Sequence, residues 1–353
     1  MSELINKNDD GAMIRWKLLS GASVLALVAY VTSAGAVKAE DASRPPIWIE
    51  LDGQFAQARN DQEAFLPPFL LASPFDGGRQ SALQKTPPVI WDKSAKINFQ
   101  PDGSDWILSA GIRYGKNGRN ETRNQLTAQP TPGYYHGNYD AYQRITARNS
   151  ENHTIVDFQA AKDVGLGGLG NSVVSIGVRF AQFNSQSNAN VHSQPANTNF
   201  NYNRFYGSFA AKRKFSGIGP SFSWEASTNL AGNPSAGSLA FDWGVNGALL
   251  FGRQRVKVHH QTTQTYQSFD AVYGPPRTVV YQTSKSLSRS KNVTVPNFGA
   301  FAGISWRYVD AKVTLGYRAD MFFNAMDGGI DARKSENRAF YGPYASISIG
   351  LGD

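Results

Sequence analysis

Along most of this chain apolar and polar residues alternate in short runs instead of recurring at helical spacing. Strict alternation puts every second side chain on one face of an extended strand. In 106–114, Trp106, Leu108, Ala110, Ile112 and Tyr114 make an apolar face, and Ser109, Gly111 and Arg113 a polar one. Similar segments fall at 47–55, 94–100, 154–163, around 174–180, 221–230, 239–251, 297–308, 311–324 and 341–351. Most carry aromatics at their ends: Phe55, Trp106, Tyr114, Phe180, Phe251, Tyr308 and Tyr341.

The connections have two lengths. Short polar or glycine-rich turns at 101–104, 165–170, 231–237 and 309–310 alternate with long stretches at 57–93, 115–152, 184–214, 252–294 and 325–339. Strands can cross lipid only as a closed barrel, because every backbone polar group must find a partner. Short periplasmic turns and longer extracellular loops are the habit of such barrels. The pattern therefore predicts an all-β, antiparallel up-and-down transmembrane barrel of about ten strands, in a range of about 8 to 12, with both ends on the periplasmic side. A hairpin of Val256–Gln261 with Thr278–Gln282 is expected to extend one loop.

The first 39 residues read differently. Arg15 and Lys17 precede an apolar run over 18–31, and small residues at Ala34, Ala36 and Ala39 offer cleavage sites. This is the pattern of a secretory signal, expected to be removed after Ala39 to leave the barrel as residues 40–353. The run is shorter than the roughly 20 residues of a spanning helix. With no cysteine in the chain, disulfides, thiol catalysis and Cys-ligated metals are excluded.

A formal net charge of +8 would suggest nucleic acid as partner in a soluble protein. Here the basic residues read as scattered through polar loops and paired with carboxylates, leaving only a weak pull on anionic solutes or lipopolysaccharide phosphates. No nucleic-acid partner is expected. Expected partners are outer-membrane lipid and lipopolysaccharide, the barrel assembly machinery and small hydrophilic solutes, with homo-oligomer formation left open.

Alternation turns ten charged residues inward: Glu50, Asp52, Arg113, Asp157, Arg179, Glu225, Asp242, Arg307, Arg318 and Asp320. They serve either as a salt-bridged filling or as the lining of a narrow pore, because barrels near eight strands are almost filled by side chains. The long connections are rich in Asn, Gln, Ser and Tyr, and Tyr134, Tyr135, Tyr139 and Tyr142 are the candidate contact residues of one loop. Gly165-Leu166-Gly167-Gly168-Leu169-Gly170 matches GxGxxG, but a strand follows where a nucleotide site needs a helix. His259 and His260 are adjacent and would point to opposite faces, so they make a poor chelate; His136, His153 and His192 add no ligand spacing. No catalytic residues, metal site or cofactor are expected, and the chain is not read as an enzyme.

Several segments, in order, resemble the Legionella major outer membrane protein family. They are Gly177-Val178-Arg179-Phe180-Ala181, Phe215-Ser216-Gly217-Ile218-Gly219-Pro220, Ala248-Leu249-Leu250-Phe251-Gly252, Gly303-Ile304-Ser305-Trp306, Leu315-Gly316-Tyr317-Arg318 and Gly342-Pro343-Tyr344. The resemblance implies a pore-forming barrel in the bacterial outer membrane, with adhesive or surface-antigen roles in some members. The cysteine cross-links of the Legionella protein do not carry over, and Gly350-Leu351-Gly352-Asp353 lacks the terminal aromatic residue of many barrels. The expected function is a porin-like channel for passive diffusion of small hydrophilic solutes, with mild anion preference. The alternative is a closed-barrel surface protein or adhesin acting through its extracellular loops.

Overall fold

The computed structural model describes residues 46–60, 89–102, 104–129, 139–165, 170–195, 202–233, 237–268 and 277–351. The expected signal segment, Tyr134 and Tyr135 lie outside these residues. The described chain is a run of ten strands: β1 (Ile47–Asn60), β2 (Val89–Phe99), β3 (Trp106–Gln129), β4 (Tyr139–Asp163), β5 (Asn171–Pro195), β6 (Tyr202–Asn233), β7 (Gly237–Ser268), β8 (Arg277–Tyr308), β9 (Ala311–Asp327) and β10 (Ser335–Leu351). Each pairs antiparallel with its neighbour in sequence, and β1 closes on β10 with Ile47 opposite Leu351. Closure removes both sheet edges, the condition for strands in lipid.

The alternating apolar residues form an outer belt. Leu108, Phe158, Ile176, Phe251, Trp306 and Leu315 are each at least half exposed apart from the protein's own atoms: 51%, 61%, 60%, 54%, 50% and 63%. On β7 the belt runs from Leu239 to Phe251, about 40 Å along the strand at roughly 3.3 Å per residue. A tilt of about 45° reduces this to roughly 30 Å of height, the thickness of a hydrocarbon core.

The strands do not stop at the belt. β6, β7 and β8 each have 32 residues, whereas a crossing needs about 9–11. Most residues expected in long loops at 115–152, 184–214 and 252–294 therefore continue the ladders. The reason lies in the faces. Past the belt on β5, Gln182, Asn184 and Gln186 occupy the outer face while Ala181, Phe183, Ala189 and Val191 turn inward and are buried. Above the membrane the wall has water outside, so the apolar face changes sides. Tyr139 and Tyr142 belong to this extension of β4, and their side chains lie outside the described residues. β7 and β8 pair throughout, but Val256 faces Arg289 and Thr278 faces Gln267, so the two expected hairpin arms lie at different heights.

Candidate functional site

The lumen has layers. Nearest the periplasmic end, Lys312 Nζ lies 2.6 Å from Asp242, which also accepts a 2.6 Å bond from the Ser227 hydroxyl. Higher up, Arg318 pairs with Asp52 at 3.2 Å, and Arg179 grips Asp157 at 2.7 Å. Arg179 also donates to Asn246 (2.8 Å) and Asn297. Arg113 joins Asp320 at 2.6 Å and Asp92 at 3.2 Å. β3 and β9 are not neighbours, so the Arg113–Asp320 bond crosses the lumen. Glu225 faces Lys96 at 4.0 Å, and Glu50 accepts hydrogen bonds of 3.0 Å from Asn98 and Trp48. Arg307 is half-buried near the periplasmic mouth. All ten sequence-selected charges thus sit on the inner face. With the partners Asp92, Lys96 and Lys312, most of them join a cross-linked lattice. Buried charges persist only with such partners.

Above the lattice the lumen turns apolar. Ile155 (β4), Phe183 (β5), Phe215 (β6), Leu250 (β7), Val295 (β8), Phe322 (β9) and Phe340 (β10) form one buried cluster with Ala56 (β1) and Ile90 (β2). Phe183 packs on Phe322 with ring centroids 4.8 Å apart, and on Phe340 at 5.9 Å. In the order of the closed sheet β5 and β10 stand diametrically opposite, so the Phe183–Phe340 contact spans the lumen. All three rings have no exposed surface. The cluster is a septum.

His153 sits beside the septum, opposite Phe183 in the β4–β5 ladder, its ring 4.2 Å from that of Phe340 and its Nε2 3.1 Å from Asp92 Oδ1. Gly115 makes room for this pair, since a Cβ there would stand 1.9 Å from Asp92 Oδ1 and 2.4 Å from the imidazole. Both His153 and Asp92 are fully buried, so neither can meet a substrate. His259 and His260 point to opposite faces, the first bonded to Ser286 and the second beside Asp331.

Above the septum a second polar layer supports a lid. Arg338 is completely buried between Glu151 (2.8 Å) and Glu336 (3.2 Å). The β9–β10 connection, 328–334, folds inward, with Ile330 packed against an apolar cluster that includes Val191, Phe209, Val256 and Val258. Arg289 clamps it, bonding both oxygens of Asp327 (2.6 and 3.0 Å) and the carbonyls of Gly329 (2.5 Å) and Ile330 (2.9 Å). Arg213 donates to the Gly328 carbonyl at 3.2 Å. Burial pushes the Asp327 carboxyl up, but Arg289 and the amides of Lys334 and Gly329 outweigh it and hold the acid below the ordinary carboxylate range. Asp331 is held low chiefly by its hydrogen bond from Lys285. A depressed pKa means that these acids stabilise the lid above the ordinary carboxylate range, near 4, and lose that contribution as pH falls below it. Arg289→Ala should raise proteolytic cleavage within 328–334 by about 10-fold or more, given roughly 1.5–3 kcal/mol per charged hydrogen bond. Unchanged cleavage kinetics in the folded variant would contradict the clamp.

Sequence reading missed Asp92, His153, Glu151, Glu336, Arg338, Arg213 and the septum phenylalanines. For most of these the signal was present: extending each strand's alternation past the apparent belt edge puts Phe183, Phe322 and Arg338 on the same inner face as Arg179, Asp320 and Tyr344.

A closed antiparallel barrel with an apolar belt, charged interior and long hairpins at one end is an outer-membrane β-barrel protein. The family described as Legionella pneumophila major outer membrane protein precursor matches residues 110–350, and the chain belongs to that family, in the bacterial outer membrane. No curated protein matches. Among solved structures, the transport unit of the autotransporter AIDA-I from Escherichia coli is 7% identical, with 89% of this chain and 93% of that one covered and a TM-score of 0.30. The CymD monoaromatic hydrocarbon channel is 9% identical over 88% and 90%, with a TM-score of 0.22. The Pseudomonas putida toluene transporter TodX is 8% identical over 90% and 95%, with a TM-score of 0.15. Likeness at this level bears on neither transport nor substrate.

Proposed function

We propose that this protein is a closed outer-membrane barrel that works as a surface scaffold, carrying long extracellular hairpins for attachment to a cell or matrix surface. The observation that carries this reading is the aromatic bridge from β5 to β10, where Phe183 and Phe340 meet at 5.9 Å in the middle of the lumen. The lid above it and the charge lattice below it support the same reading. So do the 32-residue strands, each about 100 Å long at roughly 3.3 Å per residue, far more than a pore wall requires. The test is single-channel recording on purified barrel in a planar bilayer. A folded, silent protein is the expected result; steady discrete steps without any trigger would overturn it. Deleting residues 133–142 should then abolish attachment without altering the electrical record.

A second reading is a narrow diffusion pore for small hydrophilic solutes, favoured by the cations and carboxylates that line the periplasmic half. In that case Arg179→Gln with Arg318→Gln should move the reversal potential in a salt gradient away from anions. An unchanged potential in a conducting barrel would remove these arginines from the conduction path.

A further inference from the structure

Just beyond the belt, the outer faces of β6 and β7 carry Lys212, Lys214, Arg253, Arg255 and Lys257, all exposed. Register sets Lys214 opposite Arg255 and Lys212 opposite Lys257, with Ser216 opposite Arg253. Directly opposed side chains have Cβ atoms about 4.5–5.5 Å apart, and like charges in that position destabilise the pair. Among the described residues no carboxylate relieves them. The flanking positions are neutral hydrogen-bonding groups: Asn184 and Gln186 on β5, Ser288, Ser290 and Asn292 on β8. Arg253 Nε already donates to Ser290 Oγ at 2.5 Å. The described acidic side chains lie in the lumen, on the lid or at the periplasmic end.

We propose that this five-cation face is a binding site for the phosphate groups of lipopolysaccharide headgroups in the outer leaflet. Height selects the occupant. Ile218 and Phe251 are opposed at the upper edge of the belt. Arg253 and Lys257 stand about 7 and 20 Å farther along the strand at roughly 3.3 Å per residue, and lower in height because strands tilt. That span begins in the headgroup layer, which adds about 5–8 Å to each side of the hydrocarbon. A lipid whose acyl chains lie on Ile218 and Phe251 brings its phosphates to the arginines and lysines. Each arginine offers a planar fork to phosphate oxygens. The anion also cancels the repulsion between opposed cations, and the cations in turn neutralise the phosphates, as divalent ions do between neighbouring headgroups.

The test titrates purified folded barrel in detergent with diphosphorylated lipid A, with the same lipid dephosphorylated, and with inorganic phosphate, in the presence of a divalent-cation chelator. The comparison protein is Lys212→Gln/Lys214→Gln/Arg255→Gln/Lys257→Gln. Diphosphorylated lipid A should bind the natural protein at least about tenfold more tightly than the variant, since each cation near a lipid surface contributes appreciably. The preference should shrink as salt rises. The dephosphorylated lipid should not distinguish the two proteins. Removing opposed like charges should leave folding intact, read as the heat-dependent shift in gel mobility. If the quadruple variant does not fold, Lys212→Gln/Lys257→Gln should show a smaller loss in the same direction. Equal binding of diphosphorylated lipid A by natural and variant proteins overturns the proposal, as does binding of the dephosphorylated lipid to the natural protein as tight as that of the diphosphorylated one. Inorganic phosphate that displaces lipid A at equal concentration also overturns it, making the face a free-anion site.

Discussion

Phe183→Ala/Phe322→Ala/Phe340→Ala should turn a silent barrel into a conducting one. The three rings come from β5, β9 and β10 and make the central contacts of the septum, at 4.8, 5.9 and 6.3 Å between centroids. Removing them leaves a void whose floor is the lattice of Arg113, Asp320 and Asp92 and whose roof is the Arg338 layer. A void with polar groups above and below fills with water, unlike a purely apolar cavity. Each truncation costs about 3–5 kcal/mol of packing when made alone. The triple variant should cost less than the sum, because the three share one cavity. The closed ladder and lipid belt are untouched, so the barrel should still assemble. Single-channel current and the heat-dependent gel shift measure the two effects separately. Persistent silence in a folded triple variant would show that the lid or the lattice alone is enough to seal the lumen.

The membrane half of this fold was legible because lipid enforces one rule on every strand: apolar out, polar in. That rule located the ten strands, their order and the inward direction of Arg113, Arg179 and Arg318. The upper half reads as loop because the rule reverses there. Phe183, Phe215, Phe322 and Phe340 point inward beyond the belt while lysines, glutamines and asparagines take the outer face. A period-2 pattern that changes phase looks like the end of a strand when each segment is scored for a single apolar face. The aromatic septum depends in addition on contacts between opposite walls, which no local pattern encodes. The same reversal explains the basic residues. Lys212, Lys214, Arg255 and Lys257, which read as loop charges paired with carboxylates, stand instead in cross-strand pairs of like sign.

Arg338→Met is expected to be the most damaging single substitution in the upper lumen. Arg338 is fully buried, and it is the ion-pair partner of Glu151 at 2.8 Å and of Glu336 at 3.2 Å. Its loss leaves two carboxylates in a water-poor layer beneath the lid. Removing one partner of a buried pair costs about 3–5 kcal/mol, whereas replacing the whole group with neutral residues of similar volume is close to neutral. The triple variant Arg338→Met/Glu151→Gln/Glu336→Gln should therefore recover most of the lost stability. The sign of the pH dependence follows from Glu336, whose carboxyl burial already holds above its ordinary value, more than Arg338 and Arg213 can offset. Without Arg338 it rises further, so the folded state binds the proton more tightly than the unfolded chain does. Stability of Arg338→Met then increases as pH falls through the raised pKa and levels off near the unfolded value of about 4.3. The deficit against the natural protein should be largest at neutral pH and shrink toward pH 5. Thermal midpoints of the three proteins across that range provide the measurement. A deficit independent of pH would mean that Arg338 holds the layer by packing alone.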